Sequence, residues 1–79
     1  MSLVNILVEN LSPEIVESDL EKTFGPFGNV SSISIIKEKN KKFAYIVMSK
    51  QEDADAAIKS LNGKDLKGLK IIVKEARVY

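Results

Sequence analysis

Two aromatic residues beside lysines are the part of this 79-residue sequence whose residue types and spacing best suit a chemical role. Phe43 and Tyr45 stand two positions apart, directly after Lys41 and Lys42 and close to Lys39. On a β-strand this spacing puts both rings on one face. A nucleobase can stack on such a ring while a nearby lysine contacts its phosphate. The alternative is that both rings are ordinary strand residues packed into a core.

The composition argues against catalysis. There is no Cys and no His, so the sequence offers no disulfide, no thiolate zinc site, no cysteine nucleophile and no histidine base. The segment Gly25-Pro26-Phe27-Gly28 fits a helix stop and a turn, and it matches no phosphate-cradling or dinucleotide-binding pattern. The acids Glu52, Asp53 and Asp55 fit the first turns of a helix, where negative charge is favourable. We therefore expect no enzyme, no metal and no cofactor.

The near-neutral total charge of +1 conceals an asymmetry along the chain. Residues 1–36 carry one lysine and five acids, a net charge of −4, whereas residues 37–79 carry eleven Lys and Arg against six acids, a net charge of +5. No apolar run approaches the length of a membrane span, and the first ten residues lack the features of a signal peptide. We expect an intracellular protein that contacts no membrane, in the nucleus or the cytoplasm, a choice the sequence leaves open.

Hydrophobic periodicity predicts four strands and two helices. The strands are expected at residues 3–8, 30–37, 43–48 and 69–73. The helices are expected to begin at two capping boxes, Ser18-Asp19-Leu20-Glu21 and Ser49-Lys50-Gln51-Glu52. The order is β-α-β-β-α-β, which predicts an α+β, ferredoxin-like fold: a four-stranded antiparallel sheet with two helices on one face and the other face open.

Strand alternation predicts which side chains lie on the open face. The expected set is Asn5, Leu7 and Glu9 on the first strand, Lys41, Phe43 and Tyr45 on the third, and Ile72 and Lys74 on the last, with Arg77 and Tyr79 just beyond. Glu9 would repel an incoming phosphate unless a lysine or a base amino group took up its carboxylate. Both possibilities, and that of a solvated acid at the rim, stay open from the sequence.

Two motifs resemble those of a known family, the RNA recognition motif, and the resemblance covers essentially the whole chain. Residues 41–48, Lys-Lys-Phe-Ala-Tyr-Ile-Val-Met, resemble the family's octapeptide. Residues 6–11, Ile-Leu-Val-Glu-Asn-Leu, resemble its hexapeptide. The family pattern implies that Tyr45 stacks under a base, Phe43 lies against riboses and Lys41 meets a phosphate.

Three positions depart from that pattern. Leu7 stands where the family usually has an aromatic, Lys42 where it prefers glycine, and Met48 where it prefers an aromatic. Lys42 is expected to add positive charge at the rim of the open face, in a cluster with Lys37, Lys39 and Lys41, whereas Met48 is expected to face the core.

We therefore expect residues 1–79 to form a single RNA recognition motif domain. It would be a monomer that binds single-stranded RNA, with bases on Tyr45 and Phe43 and lysines on the backbone. The alternative is a protein-docking domain of the same fold with little RNA affinity, for which Leu7, Glu9 and Lys42 are the evidence. Single-stranded DNA is a further possible ligand. The last three residues read as a truncated tail, so we also expect the chain to be a module of a longer protein.

Overall fold

The computed structural model describes residues 3–76. Its elements are β1 (Val4–Glu9), α1 (Glu17–Phe24), a 3-10 turn (Gly25–Phe27), β2 (Val30–Glu38), β3 (Lys41–Met48), α2 (Gln51–Leu61), β4 (Asp65–Leu66), β5 (Leu69–Lys70) and β6 (Ile72–Glu75). Within residues 3–76, no helix is both long enough and apolar enough to cross a membrane.

The main sheet has four antiparallel strands in the order β2-β3-β1-β6. Both helices lie on one face of this sheet, so the predicted ferredoxin-like fold is confirmed. The prediction of a strand at 69–73 is wrong in its bounds. Leu69 and Lys70 pair with β4 in a small separate hairpin, and the main-sheet strand begins only at Ile72. Positive φ angles at Lys67 and Gly68 (52° and 96°) allow the tight turn that makes this hairpin.

The core lies between the sheet and the helices and follows the predicted alternation. The buried side chains, each under 5% exposed, include Ile6, Val8, Ala44, Ile46, Met48 and Val73 from the sheet and Leu20, Phe24, Ala54, Ala57 and Leu61 from the helices. Met48 faces this core, as expected. The loop between β1 and α1 adds Leu11 and Ile15, which are also buried. Periodicity did not reveal these two because a loop has no repeating side-chain pattern.

Both predicted capping boxes are wrong. Helix α1 begins one residue before Ser18, with Val16 as its N-cap, and the Val16 backbone N–H donates a 2.9 Å hydrogen bond to Asp19 Oδ2. Helix α2 has Lys50 as its N-cap, whereas Ser49 Oγ accepts a 2.8 Å hydrogen bond from Asn29 Nδ2. The pattern of a Ser followed three residues later by a Glu is local, and it does not account for where each helix begins or for the bond that Ser49 makes to Asn29 outside the helix.

Candidate nucleic-acid interface

The strand register arranges the open face in rows across the sheet. In the central row, Tyr45 of β3 lies opposite Ser34 of β2 on one side and Leu7 of β1 on the other. Leu7 in turn lies opposite Lys74 of β6. The row therefore runs from a hydroxyl through an aromatic ring and an aliphatic side chain to an ammonium group.

The neighbouring rows carry the remaining predicted residues. On one side of the central row, Phe43 lies opposite Ile36, and Glu9 lies opposite Ile72. On the other side, Val47 lies between Ser32 and Asn5. The β2 residues on this face are Ser32, Ser34 and Ile36. The sequence pattern predicted that these three share one face of β2, but it did not identify that face as the open one.

Phe43 and Tyr45 form an edge-to-face pair on this surface. Their ring centroids are 6.0 Å apart and the ring planes meet at 83°. Tyr45 is 38% exposed, and Phe43 is half-buried. Edge-to-face geometry is favourable for an aromatic pair, so each ring holds the other in place.

Glu9 and Lys74 form an ion pair on the open face. Lys74 Nζ lies 3.2 Å from Glu9 Oε1, and the two side chains are 58% and 41% exposed. The lysine comes from the neighbouring strand β6, so the free protein itself provides a partner for the carboxylate. Because the pair is largely solvated, its contribution to stability is small.

The lysines of the hairpin between β2 and β3 divide between the two faces of the sheet. Lys41 alternates with Phe43 and Tyr45 on the open side, and Lys39 is exposed in the hairpin loop. Lys42 has the opposite orientation: its Nζ donates hydrogen bonds of 2.9 Å to the Pro13 carbonyl and 2.6 Å to the Ile15 carbonyl.

The expected placement of Lys42 at the rim of the open face is therefore wrong. Along a strand, neighbouring side chains point to opposite faces, and Lys42 follows Lys41 directly. Lys37 lies opposite Lys42 in the register and shares its side of the sheet. Of the expected cluster of four lysines, Lys39 and Lys41 stay with the open face.

A groove of ≈ 610 Å³ connects the open face to this hairpin. Its walls include Glu9, Asn10, Leu11, Pro13, Lys37, Lys39, Asn40, Lys41, Lys42, Phe43, Leu69 and Ile72. The groove is thus apolar at the sheet, where Phe43 and Ile72 line it, and cationic at the hairpin. A volume of this size is in the range of small-molecule and cofactor sites.

Asn10 holds one end of this groove in place, a role that the sequence reasoning missed. Its backbone has a left-handed φ of 63°, which asparagine tolerates better than most residues. Its Nδ2 donates a 2.8 Å hydrogen bond to the Lys70 carbonyl, which ties the end of β1 to β5. Arg77 and Tyr79, which were expected to extend the face, lie outside the described residues.

Comparison with known proteins identifies a single family. The family model for the RNA recognition motif matches residues 6–72. The chain is 32% identical to a crystal structure of RNA binding protein PG1, with a TM-score of 0.86 and 96% of each chain covered. It is 30% identical to the C-terminal RNA recognition motif of the U11/U12 65K protein, with a TM-score of 0.86 and coverage of 94% of this chain and 69% of that one.

A third similar structure holds two domains of this kind. The chain is 28% identical to the first two RRM domains of the yeast poly(U) binding protein, with a TM-score of 0.89. The match covers 95% of this chain and 47% of that one.

Proposed function

Because the chain belongs to the RNA recognition motif family, whose domains are RNA-binding and non-catalytic, we propose that its open face binds single-stranded RNA. One observation carries this proposal: Phe43 and Tyr45 lie together on the sheet face that neither helix covers. An aromatic pair on the open face lies outside the core, whereas it suits unpaired bases, which stack on aromatic rings whatever their sequence.

Each residue of the face then has a distinct role. Tyr45 stacks under one base, and Phe43 lies against the riboses. Lys41 and Lys39 contact phosphates, because they are exposed at the hairpin end of the face. Leu7 lies beside Tyr45 in the central row and offers an apolar contact to a second base.

Leu7 is also the reason to expect weak binding by this module alone. A base stacked on an aromatic ring is worth about 1–3 kcal/mol, which an aliphatic side chain does not fully replace. A loss of about 1.4 kcal/mol weakens binding tenfold. We therefore expect micromolar or weaker affinity for residues 1–79, and a second module in the same protein would raise it through effective concentration.

The test is an NMR titration of the ¹⁵N-labelled protein with short single-stranded RNA of mixed sequence. The amides of Leu7, Phe43, Tyr45 and Lys74 should shift together as RNA is added. Tyr45→Ala should weaken binding about tenfold or more, since it removes one stack. Tyr45→Phe is the matched control, because it keeps the ring and should bind within about twofold of the unaltered protein.

Salt dependence provides a second readout. Lys39 and Lys41 are the two lysines proposed to contact phosphates. Neutralising about two phosphates of a single strand gives a log–log slope of binding constant against salt of about −1.4. An absence of RNA-dependent shifts on the open face would contradict the proposal and favour the protein-docking alternative.

A further inference from the structure

Four residues on the open face, Leu7, Glu9, Ile72 and Lys74, form a square beside the aromatic pair. The inference drawn from them rests on the RNA binding proposed above. Leu7 lies opposite Lys74, and Glu9 lies opposite Ile72. One diagonal of the square is charged, the Glu9–Lys74 ion pair, and the other is apolar, Leu7 and Ile72. Ile72 is 47% exposed, although it is a large aliphatic residue. The square thus combines an apolar floor with an acceptor and a donor.

The ion pair keeps hydrogen-bonding capacity for a ligand. The salt-bridge contact joins Lys74 Nζ to Glu9 Oε1 at 3.2 Å, whereas Oε2 is the second acceptor of the same carboxylate. An ammonium group has three donors, and a carboxylate oxygen can accept more than one hydrogen bond. The pair can therefore stay intact while the carboxylate accepts two N–H groups and the lysine donates to one further acceptor.

The four RNA bases differ in how well they match this arrangement. The Watson–Crick edge of guanine carries two adjacent donors, N1–H and the N2 amino group, followed by the O6 acceptor. Adenine and cytosine each offer one amino donor beside a ring acceptor, and uracil offers one N–H between two acceptors. Guanine is thus the base that engages both carboxylate oxygens and the lysine together.

We propose that Glu9 and Lys74 select guanine at this square. The carboxylate of Glu9 accepts from N1–H and from the N2 amino group, and Lys74 bridges from Oε1 to O6. The base rests on the apolar side chains of Leu7 and Ile72.

The adjoining groove accommodates the rest of the nucleotide. Glu9 and Ile72 line the groove of ≈ 610 Å³ together with Phe43, Lys39 and Lys41. A base at the square therefore has its sugar near Phe43 and its phosphate toward the two lysines. In this arrangement Glu9 lies at the edge of the base, and Lys39 and Lys41 lie near the phosphate. The carboxylate of Glu9 therefore does not repel the phosphate.

The test compares six-nucleotide RNAs that differ at one position. Fluorescein-labelled oligouridylates carrying a single guanosine, inosine, adenosine or cytidine are titrated with the protein and followed by fluorescence anisotropy. The guanosine RNA should bind about tenfold more tightly than the inosine RNA, which lacks only the N2 amino group, because one hydrogen bond to a charged acceptor is lost. It should bind more than about tenfold more tightly than the adenosine, cytidine and all-uridine RNAs, which lose more of the proposed hydrogen bonds than inosine does.

Two variants and two controls assign the preference to the square. Glu9→Gln replaces one acceptor by a donor and should bring the guanosine and inosine RNAs within about twofold of each other. Lys74→Met should also reduce the preference, because it removes the donor to O6. The controls, Glu21→Gln on α1 and Lys59→Met on α2, change the charge equally on exposed helix residues and should keep the tenfold preference.

The possible results separate this inference from the function on which it rests. Binding of all the RNAs with equal affinity would overturn guanine selection and leave single-stranded RNA binding in place. A guanine preference that survives in both Glu9→Gln and Lys74→Met would also overturn it. If no RNA shifts the amides of the open face or changes the anisotropy, the proposed function and this inference both fail.

Discussion

Lys41 and Lys42 are neighbours in the chain, yet the structure predicts opposite consequences for their substitution. Lys42 Nζ donates to the carbonyls of Pro13 and Ile15, at 2.9 Å and 2.6 Å. These bonds hold the loop between β1 and α1, whose Ile15 side chain is fully buried in the core. Lys41 is exposed on the other side of β3. Substitution of Lys42 therefore tests how β3 stabilises the fold, and substitution of Lys41 tests how β3 contributes to RNA binding.

We expect Lys42→Met to lower the free energy of unfolding by about 2 kcal/mol, because two hydrogen bonds of about 1 kcal/mol each are lost. Methionine keeps an unbranched apolar stem of similar length, so the packing of the aliphatic part is largely preserved. For a domain of this size, that loss lowers Tm by roughly 8–16 °C. Its RNA affinity should stay within about twofold, since the ammonium group is already engaged by the carbonyls of Pro13 and Ile15.

Lys41→Met should give the converse result. An exposed substitution of this kind changes the free energy of unfolding by at most about 0.5 kcal/mol. The loss of one phosphate contact should weaken RNA binding and make the salt slope less steep by about 0.7. Urea unfolding followed by circular dichroism measures the stabilities, and anisotropy titrations at several salt concentrations measure the affinities. The reasoning is refuted if Lys42→Met leaves stability unchanged, or if it reduces RNA binding more than Lys41→Met does.

Two further predictions concern the helix side of the sheet. Gly28→Ala should destabilise the protein by about 1–3 kcal/mol in urea unfolding, because an added Cβ would lie 2.7 Å from Asp53 Cβ and α2 would have to shift. In the double variant Gly28→Ala/Asp53→Ala only part of that stability should return, because alanine at position 53 keeps the Cβ. Full recovery of stability would contradict a clash with the Asp53 Cβ. The pKa of Asp19 lies below its usual value, mainly because its carboxylate accepts a hydrogen bond from the Val16 backbone N–H and, to a lesser extent, because Lys67 donates to it. The ionised carboxylate therefore stabilises the folded state. Asp19→Asn should thus lower Tm at pH 7 and have progressively less effect as pH falls below about 4, where the carboxyl is protonated in the unfolded state and then in the folded state. A Tm difference that stays constant from pH 7 to pH 2 would contradict this assignment.

The fold was predictable because its signals are local. A period of two marked the strands, and a near-helical period in residues such as Ala54, Ala57 and Leu61 marked α2. The order of the elements then left few ways to bury their apolar faces together, so the four-stranded sheet with helices on one side followed.

The boundaries were less predictable, because neighbouring elements compete for the same residues. The segment 69–73 reads as one continuous apolar strand, but the turn at Lys67 and Gly68 pairs its first two residues with β4. The expected capping boxes failed for two different reasons. Helix α1 begins before Ser18, at Glu17, and Ser49 accepts a hydrogen bond from Asn29, the residue before β2.

The composition of the open face was visible in the sequence, whereas its internal contacts were not. Alternation correctly placed Leu7, Tyr45 and Lys74 on one side. The same alternation puts Lys42 on the opposite side from Lys41, contrary to its expected place at the rim of the open face. No sequence pattern shows that Lys42 meets the Pro13 and Ile15 carbonyls, because a loop path has no repeat.

The sequence by itself determined which side chains share a face, because that depends on the backbone geometry of each strand. Only the tertiary structure decided which of them meet. It put β6 beside β1, and so brought Lys74 to within 3.2 Å of Glu9, although the two residues are far apart in the chain. Pairing between distant strands depends on how the whole core packs and on which edges remain free, and no local pattern encodes it.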